Sequence, residues 1–401
     1  MAIKTKAENA PTIDYLLLIS VAALLIVGLM MVYSTTFYLG YQLHDQPTYF
    51  FIRQLIWVGL GIGALIMMAR IEYHAWLKYS IPMMAGTLLL LGLVLLFGSE
   101  RFGGQRWLFN GSVQPSEFAK LTVIIYLANW LASKNEKVRQ VTYGLAPFAI
   151  LIGLIIGLIV LQQDLSTAIL IGLTTLAMFF IAGGKVWQMV ICGIVGGTTF
   201  TFLITRSPYR LARLTAFMDP FSDPLGQNYQ IQQILIALGS GGTTGLGLGA
   251  SRQKFGSIPA AHTDGIFAIL GEELGLIGGL VVIGLFAFLA YRGFRISLAA
   301  PDMFGVILAA GITCNLIFQA FINVGVITAT LPFTGIPLPF ISFGGSSMLI
   351  SMASVGLLLA ISRRTAAPQR PTEAQATSAA PPPWQWNQTA RVSRTRRRPN
   401  A

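Results

Sequence analysis

Pro259-Ala260-Ala261-His262-Thr263-Asp264-Gly265-Ile266-Phe267-Ala268-Ile269-Leu270-Gly271-Glu272-Glu273-Leu274-Gly275 is the stretch on which the fold class turns. A histidine and an acid close a long polar segment, and an apolar run over about 265–292 begins right behind them. Ionisable groups where a chain enters a bilayer are costly unless a function holds them there.

Outward from that point the same kind of run recurs. A bilayer core of about 30 Å needs about 20 apolar residues per helical crossing. Ten such runs stand at about 14–34, 52–69, 77–98, 117–132, 143–161, 166–182, 187–205, 265–292, 303–329 and 346–362. The fourth and sixth are short. Composition agrees: the 401 residues are 54% hydrophobic and 10% charged, where soluble proteins carry about 25% charge. The expected fold is an all-α polytopic membrane protein of about ten transmembrane helices that cross as one unit.

The first run is longer than the 7–15 residues of a signal-peptide core, and no A-x-A site follows, so it reads as a retained span. Lys and Arg in short loops set orientation. One set of loops holds Lys4, Lys6, Arg70, Lys78, Lys134, Lys137, Arg139, Lys185, Arg292, Arg295, Arg363 and Arg364; the other holds Arg53, Arg101 and Arg106. That asymmetry puts both termini in the cytoplasm and the long segment 206–264 outside. The organisation expected is a cytoplasmic N-terminus (1–13), a membrane domain (14–364) and a basic cytoplasmic tail (365–401). The tail has six Arg, one Glu and six Pro. It cannot bury a core and reads as disordered, with Arg394, Arg396, Arg397 and Arg398 against an anionic leaflet. No folded nucleic-acid reader accompanies it, so nucleic acid is not an expected partner. Cys192 and Cys314 sit in apolar runs and support no disulfide framework. No internal repeat is visible, which disfavours a transporter.

The segment 206–264 is too long for a simple connector. Residues 227–238 (Gln-Asn-Tyr-Gln-Ile-Gln-Gln-Ile-Leu-Ile-Ala-Leu) read as an interfacial amphipathic helix. Gly239-Ser240-Gly241-Gly242-Thr243-Thr244-Gly245-Leu246-Gly247-Leu248-Gly249 follows. Such glycine density suits tight turns, either as a cradle of N–H groups for a pyrophosphate or as a re-entrant loop without ligand. Asp264 suits a general base and equally a helix N-cap. His262, one of three histidines, reads from its residues alone as a polar loop histidine. Glu272 and Glu273 lie roughly 12 Å deeper, where carboxylates need partners or water.

A further cluster runs from Gly103-Gly104-Gln105-Arg106-Trp107 to Gln114-Pro115-Ser116-Glu117-Phe118-Ala119-Lys120. Pro115 suits a first helical turn, and Glu117 and Lys120 can pair at i, i+3, as a structural ion pair or with Lys120 facing a phosphate. Arg106 suits a diphosphate, and Trp107 an interface or a sugar face. Asp164 reads as a helix cap. Pro332, Pro337 and Pro339 cannot continue a helix, so 331–343 is a loop packed near the membrane, with Ser346 or Ser347 capping the last helix.

Together these segments closely resemble the SEDS family (shape, elongation, division and sporulation), whose branches are FtsW, RodA and SpoVE, over nearly all of residues 12–364. The matches are Arg106-Trp107, Gln114 to Lys120, Asp219-Pro220, Tyr229-Gln230, Ala261-His262-Thr263-Asp264, Gly271-Glu272-Glu273-Leu274-Gly275 and Pro339 to Ser347. The resemblance implies a peptidoglycan glycosyltransferase that polymerises lipid II into β-1,4 glycan, with Asp264 as the essential base. It implies substrate-site roles for Trp107, for the Glu117 and Lys120 pair and for His262, and for that reaction Arg106, Lys120, Arg210, Arg213 and Lys254 are the candidate cations to stabilise the leaving group. It further implies undecaprenyl diphosphate as the leaving group, a class B penicillin-binding protein and other divisome membrane proteins as partners, and a multi-pass place in the bacterial plasma membrane. No metal-ligand spacing is present, so a divalent cation such as Mg²⁺ would come with the substrate diphosphate. Departures from the family pattern are Ala260 for Glu, Gly256 for a second acid, Thr334 for a Lys of many division-type members, Gln163 for Pro and Ser166 for Gly. Asp264 therefore stands as a single carboxylate. Ser251 to Gly256 favours the division type (FtsW), while Thr334 to Pro339 also fits the elongation type (RodA). A lipid II flippase or a catalytically silent scaffold is the competing reading.

Overall fold

In a computed structural model, residues 13–101, 104–107, 114–219 and 228–365 are described. The N-terminal residues 1–12, the tail 366–401 with its arginines, and 220–227 with Asp223 and Gln227 lie outside the described residues. Those of Pro11–Thr365 form one compact unit.

Apolar periodic runs become helices because the bilayer leaves backbone groups no other partner. In chain order they are α1 (Tyr15–His44), α2 (Tyr49–Arg70), α3 (Ala75–Phe97), α4 (Pro115–Lys134), α5 (Ala146–Leu161), α6 (Leu165–Ile181), α7 (Val186–Thr205), α8 (Pro208–Met218), α9 (Tyr229–Gly241), α10 (Ile266–Ala299), α11 (Met303–Ile327) and α12 (Gly345–Thr365). A short antiparallel hairpin, β1 (Ser99–Arg101) and β2 (Gly104–Trp107), joins α3 to α4. A π-helical turn, Val141–Leu145, leads into α5.

The ten expected runs correspond to α1–α7 and α10–α12. Among the described residues, eight helices are long and apolar enough to cross a membrane. The two short runs account for the difference: α4 carries buried Glu117 and Lys120, and α6 has 17 residues. The protein is a polytopic all-α membrane protein. α11 and α12 form its enclosed centre, α2 packs along α12 and α10 along α11. α7 packs chiefly on α6 and α8, and its Gln188 donates to Arg139 O (3.2 Å).

At one end of the bundle, Asp14 caps α1 through the N–H of Leu17 (3.0 Å) and pairs with Arg292 (2.6 Å). Tyr73 donates to Asp302 there, and Arg364 pairs with Glu72. The opposite end carries Asp264.

α10 is broken. Gly275 has φ 69° and ψ −168°, which splits the helix into 266–274 and 276–299. The glycine-rich segment after α9 fills the gap backbone to backbone. Leu246 N–H donates to Glu272 O (3.0 Å) and Gly247 N–H to Glu273 O (3.0 Å). Leu276 N–H and Ile277 N–H donate to the carbonyls of Gly242 (3.0 Å) and Thr243 (3.1 Å). The Leu246 and Gly247 N–H groups are thereby spent inside the protein. The glycines are needed for approach: a Cβ on Gly245 would stand 2.2 Å from Glu273 O, and one on Gly275 2.3 Å from Gly245 N.

Gly275→Ala and Gly245→Ala are each expected to lower the thermal midpoint in detergent, since a left-handed non-glycine alone costs roughly 1–2 kcal/mol before any clash. Gly193→Ala on α7, where a Cβ meets nothing within 4 Å, should leave the midpoint unchanged or raised.

Candidate active site

The segment ending in Asp264 is fixed to the rest of the protein through its backbone carbonyls. Phe343 N–H donates to His262 O (2.9 Å). The Ser342 hydroxyl donates to Thr263 O and accepts from Leu338 N–H (2.8 Å). Asn323 on α11 donates through Nδ2 to both Asp264 O (2.9 Å) and Ile336 O (2.8 Å). The proline-rich loop 331–343 and α11 thus hold three consecutive residues in place.

The Asp264 carboxylate accepts from the Thr263 hydroxyl (2.9 Å). A Cβ on Gly335 would stand 3.4 Å from Asp264 Oδ2, so the loop backbone passes close beside the acid. The N-cap of α10 is Gly265, with no side-chain cap bond. Asp264 thus stands one residue before the N-cap position, with its carboxylate close to its own N–H and that of Gly265. Burial pushes its pKa up from the ordinary carboxylate value, opposed by the Thr263 hydrogen bond and the Arg213 guanidinium. His262 packs between Phe50 and Phe343, with centroids 5.8 and 5.7 Å away. Burial there pushes its pKa down to about 4, so the ring is neutral near pH 7.

Arg213 reaches the site from α8 and lies over the Phe333 ring (5.1 Å). Arg210, one turn earlier, donates to Leu203 O (3.3 Å) and closes the end of α7. The two arginines expected on one ligand thus face different jobs. α8 itself was not foreseen, although Pro208 at its first turn and the spacing of Leu211, Leu214 and Phe217 carry the signal.

A buried polar seam runs beneath Asp264. Lys120 pairs with Glu117 (2.7 Å), both almost fully enclosed. Lys120 also donates to Gln319 Oε1 (2.9 Å), and Gln319 Nε2 donates to Pro337 O (2.9 Å). Gln319 and Asn323 stand one turn apart on α11 and tie the ion pair to the loop beside Asp264. The signal for both in the sequence is a pair of amides at i, i+4 inside an apolar run.

The other candidates are placed further out. Arg106 on β2 donates to Gln163 O, and Trp107 ends that strand half-buried. Asp164 caps α6 through Thr167 N–H (3.2 Å) and accepts from Gln114 and Ser116 (3.1 Å each). Lys254 sits in a buried pair with Glu273 (3.0 Å). Ser346 does not precede α12 but lies in its first turn, accepting from Gln114 N–H (3.3 Å). Among the described residues, no three His, Cys, Asp or Glu side chains converge as a metal site.

These features define a membrane-embedded protein with a buried carboxylate at the mouth of a polar seam. The chain belongs to the FtsW/RodA/SpoVE family, described as cell cycle proteins, whose model matches residues 15–367. It is 41% identical to the stage V sporulation protein E of Bacillus subtilis over 90% of this chain and 99% of that one. It is 40% identical to a probable peptidoglycan glycosyltransferase FtsW of Geobacter metallireducens, over 90% and 97%. Among solved structures it resembles a chain of a peptidoglycan synthase complex that coordinates polymerization and crosslinking, with TM-score 0.73 and 29% identity over 88% and 98%. It also resembles the rod shape determining protein RodA of Thermus thermophilus, with TM-score 0.66 and 26% identity over 88% and 97%.

Lys120→Met strands the buried Glu117 charge and should cost about 3–5 kcal/mol of stability. The double variant Lys120→Met/Glu117→Gln should recover much of that loss in thermal unfolding of the purified protein.

Proposed function

We propose that this chain is a peptidoglycan glycosyltransferase in which Asp264 is the general base. The observation that carries the assignment is a buried carboxylate with a raised pKa, just before the start of α10, held by backbone bonds at the top of the seam. A base must be positioned before its pKa matters, and three separate elements supply that position.

Asp264 takes the proton from the 4-hydroxyl of the acceptor GlcNAc of lipid II. The oxygen attacks the anomeric carbon of the growing strand, and undecaprenyl diphosphate leaves from the opposite face, so an α-linked donor yields a β-1,4 product. Such a single displacement needs one base and a stabilised leaving group. The single carboxylate left by Ala260 and Gly256 meets the first need. Arg213 is the cation electrostatically coupled to Asp264, and Lys120 is the buried cation of the seam. Any Mg²⁺ arrives with the substrate diphosphate. His262, neutral and ring-packed between Phe50 and Phe343, carries no charge beside the base.

Relatives named FtsW support use at the septum, with a class B penicillin-binding protein as the transpeptidase partner. The Lys and Arg asymmetry supports both termini in the cytoplasm and Asp264 outside the plasma membrane.

With labelled lipid II and the partner present, wild type should make long glycan strands and Asp264→Asn none. Equal product from both would remove Asp264 from the mechanism. The rate should fall as pH drops and Asp264 takes up a proton, with a midpoint above the usual carboxylate range. No limb near pH 6.5 is expected from His262, whose pKa lies at about 4.

A further inference from the structure

We infer that Lys254 is a positioning residue for the Asp264 base and touches no substrate; the inference rests on the assignment of Asp264 just made. An ammonium has three N–H donors. Lys254 Nζ has three acceptors already: Glu273 Oε1 (3.0 Å), Gly249 O (2.7 Å) and Ser34 Oγ (3.1 Å). Its side chain is 8% exposed. No donor is left for a diphosphate.

What the pair does follows from the chain path. From Lys254 a strap runs to Asp264, turns into the first half of α10 and reaches Glu273, which returns to Lys254. The ion pair closes this path into a ring of about 20 residues, whose opening releases loop entropy to the strap. Glu272 adds a second clasp: it accepts from the Ser251 hydroxyl, from Arg252 N–H (2.9 Å) and from Gln253 N–H (3.4 Å). Ser34 donates to Glu273 (2.6 Å) and so anchors the ring to α1. Glu273 Oε2 is buried without a hydrogen bond, so the orientation of that carboxylate depends on Lys254, Ser34 and the Ser251 amide. Asp264 sits opposite the clasp in the ring, held at its own end by α11 and the loop 331–343. With Lys254 removed, the strap is tied at this end by the Glu272 contacts alone, so it loosens and the base is less closely confined.

The test compares wild type, Lys254→Arg, Lys254→Met and Lys254→Met/Glu273→Gln in lipid II polymerisation. The double variant leaves no stranded buried charge and keeps the test open if the single variant does not fold. In the folded double variant kcat should fall about tenfold or more, as misplacement by about 1 Å can cost 10²-fold, with KM for lipid II within about twofold. The acid midpoint of the rate should move, because Asp264 shifts relative to Arg213, and hydrogen exchange across 255–264 should quicken. Lys254→Arg should recover part of the rate. A rise in KM at constant kcat would make Lys254 a substrate ligand and overturn the inference. So would an unchanged kcat and midpoint in the folded double variant. Asp264→Asn in the same assay separates the two claims: strands from it would sink the base assignment itself, and with it this inference.

Discussion

The structure depends on one constraint: a helix entering the membrane is interrupted, and its freed backbone groups must find partners within the protein. Gly275 ends the first half of α10, and in hydrocarbon each unpaired group costs several kcal/mol. The segment after α9 satisfies both sides of the gap, with Leu246 and Gly247 as donors and Gly242 and Thr243 as acceptors. Because backbone meets backbone, only glycine fits at Gly245 and Gly275. The short half-helix 266–274 thereby becomes a fixed mount with Asp264 just before its start.

The site follows from that mount. On one side, Glu272 and Glu273 clasp 251–254; on the other, Asn323, Ser342 and Phe343 hold 262–264. The broken helix, the proline-rich loop and α11 converge on one carboxylate. Below it, the Gln319 link to Lys120 joins a buried ion pair to the same loop. Buried ion pairs gain little net stability; this one keeps a cation within the seam.

Much of this was legible in the sequence, for physical reasons. Apolar runs map onto helices because the bilayer leaves no alternative, and the two short runs are the two helices that fall below the length and apolarity of a full crossing. The Glu117–Lys120 pair and the Asp164 cap rest on local spacing, and both are present. Asp264 was visible as an acid at a boundary, while the placing of Gly265, not Asp264, at the N-cap position was not. The glycine run was legible only as close approach; what it approaches lies some 30 residues on, and backbone pairing leaves no side-chain pattern. Lys254 likewise read as a loop cation because its partners, Ser34 and Glu273, are distant in sequence. α8 and the β1–β2 hairpin were overlooked within segments read as loops.

The most direct measurement on the central constraint is residue-resolved amide hydrogen exchange in detergent or nanodiscs. Leu246, Gly247, Leu276 and Ile277 should exchange as slowly as the interior amides of α10. Exchange of these four at the rate of an open loop would contradict the splice, and with it the account of how Asp264 is held.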